Sequence, residues 1–121
     1  MQPGKTYKWH KIAESIPEIE NIMGNPCLVK VEGKELCISI YQQQVRACSA
    51  RCPHAGGKMH QGWVDPLGQI VCPLHRYRFN PSTGLNSSGE GYHLKTYPVE
   101  LREDGVYVGI ETDKWWGFTT F

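Results

Sequence analysis

The sequence predicts an all-β fold, either a small antiparallel sandwich or a partly open barrel. Apolar and polar residues alternate in short segments, which is typical of half-buried strands. Glycine, proline, asparagine and aspartate separate these segments at short intervals, as expected of turns. The best helical pattern, in residues 13–23, is interrupted by Pro17 and predicts one or two short turns at most.

The predicted strands follow one another along the chain with few residues between them. Alternation of apolar side chains and the positions of the turns define their limits. In chain order, the expected elements are a strand at 26–31, a turn at Glu32-Gly33-Lys34, a strand pattern continuing through 36–47, a hairpin with arms at 69–72 and 76–79, and a hairpin over 94–110 that turns at Glu103-Asp104-Gly105.

Length and composition predict one domain that spans residues 1–121. The net charge of +1 gives no long-range attraction to nucleic acid or to an acidic membrane, so neither is expected as a partner. No apolar run approaches the roughly 18–20 residues of a membrane helix, and the N-terminus lacks a signal-peptide pattern. We therefore expect a cytoplasmic monomer whose five cysteines are free thiols or metal ligands.

Two short motifs supply side chains for a metal site. Cys52-Pro53-His54 is followed, after 17 residues, by Cys72-Pro73-Leu74-His75. Two thiolates and two imidazoles suit iron or zinc. Zinc sites usually pair cysteine with cysteine and histidine with histidine, whereas each motif here is mixed. The mixed pairs favour an iron–sulfur cluster with sulfur ligands on one iron and nitrogen ligands on the other.

The chain resembles the Rieske [2Fe–2S] family over roughly residues 7–111. The two motifs, their spacing and the aromatic residue after the second motif carry the resemblance, and flanking segments extend it. These segments are Trp9…Ile12-Ala13, Gln44-Val45-Arg46-Ala47, Met59-His60-Gln61-Gly62-Trp63, His75-Arg76-Tyr77-Arg78-Phe79 with Gly84, and Leu94…Tyr97-Pro98-Val99 with Gly105-Val106-Tyr107-Val108.

The resemblance implies a Rieske-like sandwich in which a cluster-binding subdomain, about residues 48–80, presents two ligand loops. It implies one [2Fe–2S] cluster and no catalytic residue. Cys52 and Cys72 would hold the inner iron, and His54 and His75 the outer, solvent-facing iron. Because imidazoles replace two thiolates, the cluster is less negative and its potential lies above that of plant-type ferredoxins.

Two departures from the respiratory members of the family imply a low-potential centre. Those relatives carry a second cysteine in each loop, forming a disulfide, and here the corresponding positions are Gly57 and Leu74. They also place hydroxyl donors near the sulfurs, at positions that are Tyr77 and Phe79 here, and Phe79 cannot donate. Fewer hydrogen bonds to sulfur stabilise the reduced charge less, so we expect a potential near about −150 mV.

The implied function is one-electron transfer, as a Rieske-type ferredoxin of a ring-hydroxylating dioxygenase system rather than as an enzyme. The chain would take electrons from an NAD(P)H-dependent flavoprotein reductase and pass them to a terminal oxygenase. Three alternatives stay open: a small Rieske subunit of a nitrite reductase, a redox sensor, and a zinc-stabilised interaction module.

Residues outside the two motifs carry further expectations. The other three cysteines lie in strand-like runs and are expected to be small core residues: Cys27, Cys37 and Cys48. Three basic residues beside the ligand loops are either solvated or form a docking rim for an acidic partner: Lys58, Arg76 and Arg78. The aromatic C-terminal tail, residues 112–121, either packs back on the domain or contacts a partner.

Overall fold

The computed structural model describes residues 6–54 and 56–112, and short strands dominate them. The strands are β1 (Tyr7–Ala13), β2 (Cys27–Val31), β3 (Lys34–Tyr41), β4 (Gln44–Ser49), β5 (Trp63–Val64), β6 (Ile70–Val71), β7 (Arg78–Phe79), β8 (Thr96–Tyr97), β9 (Val99–Arg102) and β10 (Gly105–Glu111). The helical segments are α1 (Ile16–Glu18), a π-helical turn (Ile19–Met23) and a 3₁₀ turn (Met59–Gln61). The predicted all-β class is confirmed.

The strands form three antiparallel sheets with open edges instead of a closed barrel. Their orders are β1-β10-β9, β2-β3-β4-β8 and β5-β6-β7. The third sheet is built only from two-residue strands between Trp63 and Phe79, which is the part of the chain that holds the second ligand motif. The other two sheets form the base on which this small sheet and its loops are carried.

Buried side chains form two clusters that share the strands β3 and β4. Leu36 and Ile38 of β3 belong to the first cluster, with residues of β1, β2, β4 and β10. Cys37, between them in the sequence, belongs to the second cluster, together with Cys52 and Cys72 of the ligand motifs. Because successive strand residues face opposite sides, one sheet supports both cores and anchors the ligand loops to the base.

The turn between β3 and β4 was not expected. The alternation of apolar residues predicted a pattern that continues through residues 36–47, but the chain reverses at Gln42 and Gln43 and pairs β3 with β4 as a hairpin. Both glutamines have φ in the left-handed region, 50° and 65°. A two-residue turn with this backbone is usually signalled by asparagine or glycine, and neither residue is present here.

The closing hairpin is also shorter than predicted. Residues 94–110 were expected to form its two arms, but the first arm divides at Pro98. Thr96 and Tyr97 pair with β4 in the second sheet, whereas β9 pairs with β10 in the first. Proline has no N–H with which to continue a ladder, so Pro98 marks the place where the chain passes from one sheet to the other.

The helical segment agrees with the expectation of one or two short turns. Ser15 caps α1, because its hydroxyl accepts a hydrogen bond from the Glu18 backbone N–H, and Pro17 lies in the first turn, where its missing N–H costs nothing. None of the helices within the described ranges has the length and apolarity needed to cross a membrane. The aromatic tail lies outside the described residues from position 113 onward.

Candidate metal centre

The first ligand loop is closed by hydrogen bonds on both sides of Cys52. An antiparallel bridge joins Arg51 to Lys58 at its base. The Cys52 N–H donates to the Gly57 carbonyl at 2.7 Å, and the Gly56 N–H donates to the Cys52 carbonyl at 3.0 Å. Gly56 has a φ of 73°, which favours glycine. These hydrogen bonds fold the loop tightly around Cys52 and fix Gly56 and Gly57 beside it.

The second ligand loop connects β6 to β7 and contains the most unusual backbone of the site. The Cys72 N–H donates to the Tyr77 carbonyl at 2.9 Å and closes the loop. Between them His75 and Arg76 both have φ in the left-handed region, 62° and 59°. Such conformations cost of order 1 kcal/mol or more for residues other than glycine and cluster at functional sites. Here the strained backbone directs the imidazole of His75 toward the first loop.

The four predicted ligands meet as two pairs. The Nδ1 atoms of His54 and His75 lie 3.4 Å apart, and the thiols of Cys52 and Cys72 are close enough to interact. Two imidazole nitrogens on one tetrahedral metal, each at about 2.0–2.1 Å, are separated by about 3.3–3.4 Å. Within the described ranges no three Cys, His, Asp or Glu side chains converge on a single point. The arrangement fits two irons that each receive one pair.

The environment of Cys72 is adapted to a sulfur atom. Gly57 lies directly against it, since a Cβ built on Gly57 would be 2.9 Å from the Cys72 Sγ and 3.0 Å from the Leu74 Cδ1. Burial, reinforced by the Cys52 thiol, raises the pKa of the Cys72 thiol to about 11, although the Leu74 N–H donates to its sulfur and opposes that rise. Metal binding would displace this proton, and the Leu74 N–H would then support the thiolate.

Gly57 and Leu74 are also the positions that correspond to the disulfide of the respiratory relatives. Their contact places these two positions side by side above the cysteine pair, where a bridge between the loops would lie. Neither residue is a cysteine, so in this chain the two loops are joined by packing alone at this point.

Burial differs sharply between the two pairs. Cys52 is 1% exposed and Cys72 is 0% exposed, whereas His54 is half-buried and His75 is exposed. One end of the site therefore lies in the core and the other reaches solvent. An electron held between the two pairs has its shortest way out through the imidazole rings.

Two tyrosines cover the histidine side of the site. The Tyr77 and Tyr92 rings stack on each other with centroids 5.8 Å apart, and both contact the His54 ring, at 4.2 Å and 5.4 Å. Partial burial and the nearby Glu90 carboxylate raise the pKa of Tyr77, so its phenol stays protonated. The sequence placed Tyr77 in the site, but it gave no reason to include Tyr92.

Tyr92 reaches the site because Asn86 organises residues 86–92, which we call the covering loop. The Asn86 Oδ1 accepts from the N–H groups of Glu90 and Gly91, and its Nδ2 donates to the Arg78 carbonyl at 2.9 Å. The Asn86 N–H also donates to the Tyr92 carbonyl at 3.2 Å. An asparagine before Ser-Ser-Gly is a turn signal, but the signal does not say which distant residue the turn will cover.

The remaining cysteines lie in strands, as expected of small core residues. Cys27 is buried in the first core, and Cys37 and Cys48 are buried opposite each other on β3 and β4. The interaction with Cys48, together with burial, raises the pKa of the Cys37 thiol. All three cysteines lie on strands instead of in the ligand loops.

Comparisons with known proteins agree with the geometry. The family model described as the Rieske [2Fe-2S] domain matches residues 8–98. The ferredoxin component of the naphthalene 1,2-dioxygenase system of Pseudomonas putida is 30% identical over 106 residues, which are 87% of this chain and 98% of that protein.

Solved structures extend the comparison. A chain of the complex of reduced oxygenase and oxidized ferredoxin in carbazole 1,9a-dioxygenase is 28% identical, with a TM-score of 0.71 over 84% of this chain and 92% of that chain. A putative NADH-dependent nitrite reductase small subunit from Mycobacterium tuberculosis gives a TM-score of 0.76 at 18% identity, over 89% of this chain and 99% of that chain. At that identity the likeness shows a shared fold.

Proposed function

The chain belongs to the Rieske [2Fe–2S] family and is an electron carrier, and we propose that it shuttles single electrons between a flavoprotein reductase and a terminal oxygenase. It holds one Rieske-type [2Fe–2S] cluster and is not itself an enzyme. A single observation carries the proposal: the ligand side chains meet as a buried thiol pair and an imidazole pair that reaches solvent through His75.

We assign the cluster ligands as Cys52 and Cys72 on the inner iron and His54 and His75 on the outer iron. The pairwise contacts and the 3.4 Å separation of the two Nδ1 atoms support this assignment. When bound, the cluster supplies a site that accepts and releases one electron without other chemistry. The zinc-stabilised module is not supported, because the cofactor of this family is the iron–sulfur cluster.

The chain's own residues position and shield that site. Cys52 and Cys72 fix it to the core, so that it does not reorganise when charge enters. Tyr77 and Tyr92 exclude water from one side of His54. His75 remains exposed and gives a partner direct access. We propose that residues 1–121 work as a single monomeric domain in the cytoplasm, with the cluster-binding part at about 48–80.

The partners are proposed from the relatives. The Pseudomonas putida relative is named as the ferredoxin component of a dioxygenase system, and a second relative is a chain of a complex that contains an oxygenase and a ferredoxin. The match covers 98% of the length of the first relative, so the whole electron-carrying unit of that relative has a counterpart in this chain. We propose that a separate reductase supplies the electrons and that a separate oxygenase receives them.

The proposal is tested by following electrons through the purified protein. With NADH and the reductase of a naphthalene dioxygenase system, we expect the visible absorption of the oxidised protein to bleach within seconds. Addition of the terminal oxygenase with naphthalene and oxygen should restore the colour and form product. A His75→Ala variant serves as the control and should support neither step. A protein that copurifies with a large haem-containing flavoprotein and ignores the oxygenase would instead be a nitrite reductase subunit.

The reduction potential tests the prediction that Phe79 lowers the potential because it lacks a hydroxyl donor. This side chain is fully buried in the same cluster as both ligand cysteines, at the position where respiratory relatives have a hydroxyl donor. Phe79→Tyr should raise the potential by about 40 mV, the one-electron equivalent of a hydrogen bond of about 1 kcal/mol. Phe79→Leu, which alters packing without adding a donor, is the control. Protein-film voltammetry of the three proteins gives the answer, and equal shifts in both variants would contradict it.

A further inference from the structure

The part of the chain that carries the two ligand loops differs in charge from the rest of the molecule. Residues 48–95, which contain both ligand loops and the covering loop, carry five lysines and arginines and two acidic residues. The other described residues carry six lysines and arginines and nine acidic residues. The net charge of +1 therefore conceals a cluster-bearing part with a charge of +3 and a base with a charge of −3, and the residues outside the described ranges contribute the remaining +1. A nearly neutral chain of this kind has a strong local field at one end.

Three exposed basic residues belong to the two ligand loops or close the base of the first, and we call them the basic rim: Arg51, Lys58 and Arg76. Arg76 follows His75 directly and is exposed. Arg51 and Lys58 face each other across the bridge that closes the first loop, and the Arg51 guanidinium lies against Gly56. None of the three forms an ion pair with an acidic side chain of residues 6–54 or 56–112. Arg78 differs, because it interacts with the Glu90 carboxylate, whose pKa is lowered mainly by the Ser88 hydroxyl and in smaller part by Arg78.

The centre of this surface is apolar. Leu74, between the two ligands of the second loop, is 45% exposed, and Pro53 and Pro73 are exposed beside it. One side of the Leu74 side chain packs against Gly57, and the rest of it is open to solvent. An apolar centre with a charged edge is the usual anatomy of a protein–protein interface, and unpaired charges at the edge act mainly on the rate of association.

We propose that this surface docks the electron acceptor, and that the acceptor presents carboxylates around an apolar opening. The inference rests on the proposed function and adds the chemistry of the partner's surface. The positive end would steer the molecule so that His75 arrives first. Contact of Leu74 and the two prolines with the partner would then exclude water from the short path between the imidazole and the acceptor.

The test uses two small oxidants of opposite charge, ferricyanide and hexaamminecobalt(III), in stopped flow with dithionite-reduced protein. Each takes one electron from the reduced cluster, and its own metal is reduced by one unit. Arg76→Glu should slow ferricyanide about tenfold at low ionic strength and should accelerate the cobalt complex. A shift in potential would change both rates in the same direction, so opposite changes identify the electrostatic effect.

Lys8→Glu is the matched control. Lys8 lies on β1, is 68% exposed, and its replacement changes the net charge by the same amount. It should change either rate by less than twofold. As a readout that does not depend on electron transfer, Arg76→Glu should elute from a cation exchanger at lower salt than Lys8→Glu. Equal effects of the two variants, or rates in the unchanged protein that do not depend on salt, would overturn the proposal.

A protein acceptor separates this inference from the proposed function. With the terminal oxygenase of a naphthalene dioxygenase system, the rate of electron transfer should fall with ionic strength and should fall further in Arg76→Glu. Transfer that is fast but insensitive to both changes would contradict the docking surface and leave the electron-carrier role intact. No transfer to the oxygenase, with the discrimination between the small oxidants preserved, would contradict the proposed partner and support the basic rim.

Discussion

Replacing Cys72 with alanine is expected to abolish cluster binding, while replacing Cys48 with alanine should preserve it. The two cysteines are matched, since they are 0% and 1% exposed and pack in the same apolar cluster. They differ in position: Cys72 lies in a ligand loop beside Cys52, whereas Cys48 lies on β4 opposite Cys37. Loss of one of two thiolates leaves the inner iron with one protein ligand fewer, and three ligands do not hold the cluster.

Iron and acid-labile sulfide per chain, measured together with the visible spectrum, provide the comparison. The Cys48→Ala protein should contain two irons and two sulfides per chain, as the unchanged protein does, and should be less stable by about 1 kcal/mol because of the lost packing. The Cys72→Ala protein should be colourless and contain neither. A coloured Cys72→Ala protein, or a colourless Cys48→Ala protein with native-like circular dichroism, would show that the ligands have been assigned incorrectly.

Replacing Gly62 with alanine is expected to destabilise the protein strongly. A Cβ at this position would lie 1.7 Å from the Val71 carbonyl oxygen and would also approach Pro73 of the second ligand loop. The φ of −85° at Gly62 lies outside the left-handed region, so the expected cost comes mainly from this steric clash. Strands β5 and β6 would have to separate, which should cost about 3 kcal/mol or more.

Gly33→Ala is the control for the glycine prediction. Gly33 has a φ of 78° and nothing within 4 Å of its virtual Cβ, so alanine there incurs only the backbone cost, about 1–2 kcal/mol. Thermal unfolding of both variants should show a clearly lower midpoint for Gly62→Ala, accompanied by reduced iron content. If the two variants unfold at the same temperature with full clusters, the close packing of β5 on β6 is contradicted.

Sequence alone was sufficient for the strand content and for the ligand motifs. The strands predicted at 26–31, 69–72 and 76–79 correspond to β2, β6 and β7, and mixed Cys/His pairs with a proline after each cysteine are unusual enough to suggest a specific metal centre. The sequence was insufficient for the pairing of strands that lie far apart along the chain. Alternation indicates a strand, but it does not say that Thr96 and Tyr97 pair with β4 while β9 pairs with β10.

The aromatic residues that shield the histidines were the hardest feature to predict from the sequence. Tyr92 lies 38 positions beyond His54, and only the hydrogen bonds of Asn86 bring its ring to the site. The charge pattern is a similar case, because a net charge of +1 hides two parts of opposite charge that become visible only when the chain is divided by its fold. Both features depend on which residues the fold brings together.

The most direct measurement is low-temperature pulsed EPR of the protein, purified without oxygen and reduced with dithionite. A Rieske centre with His54 and His75 on its outer iron predicts a rhombic signal of low average g and hyperfine couplings to two imidazole nitrogens. A rhombic signal without nitrogen coupling would indicate a cluster held by cysteines alone. A colourless protein without an EPR signal that contains one zinc would contradict the electron-transfer function itself.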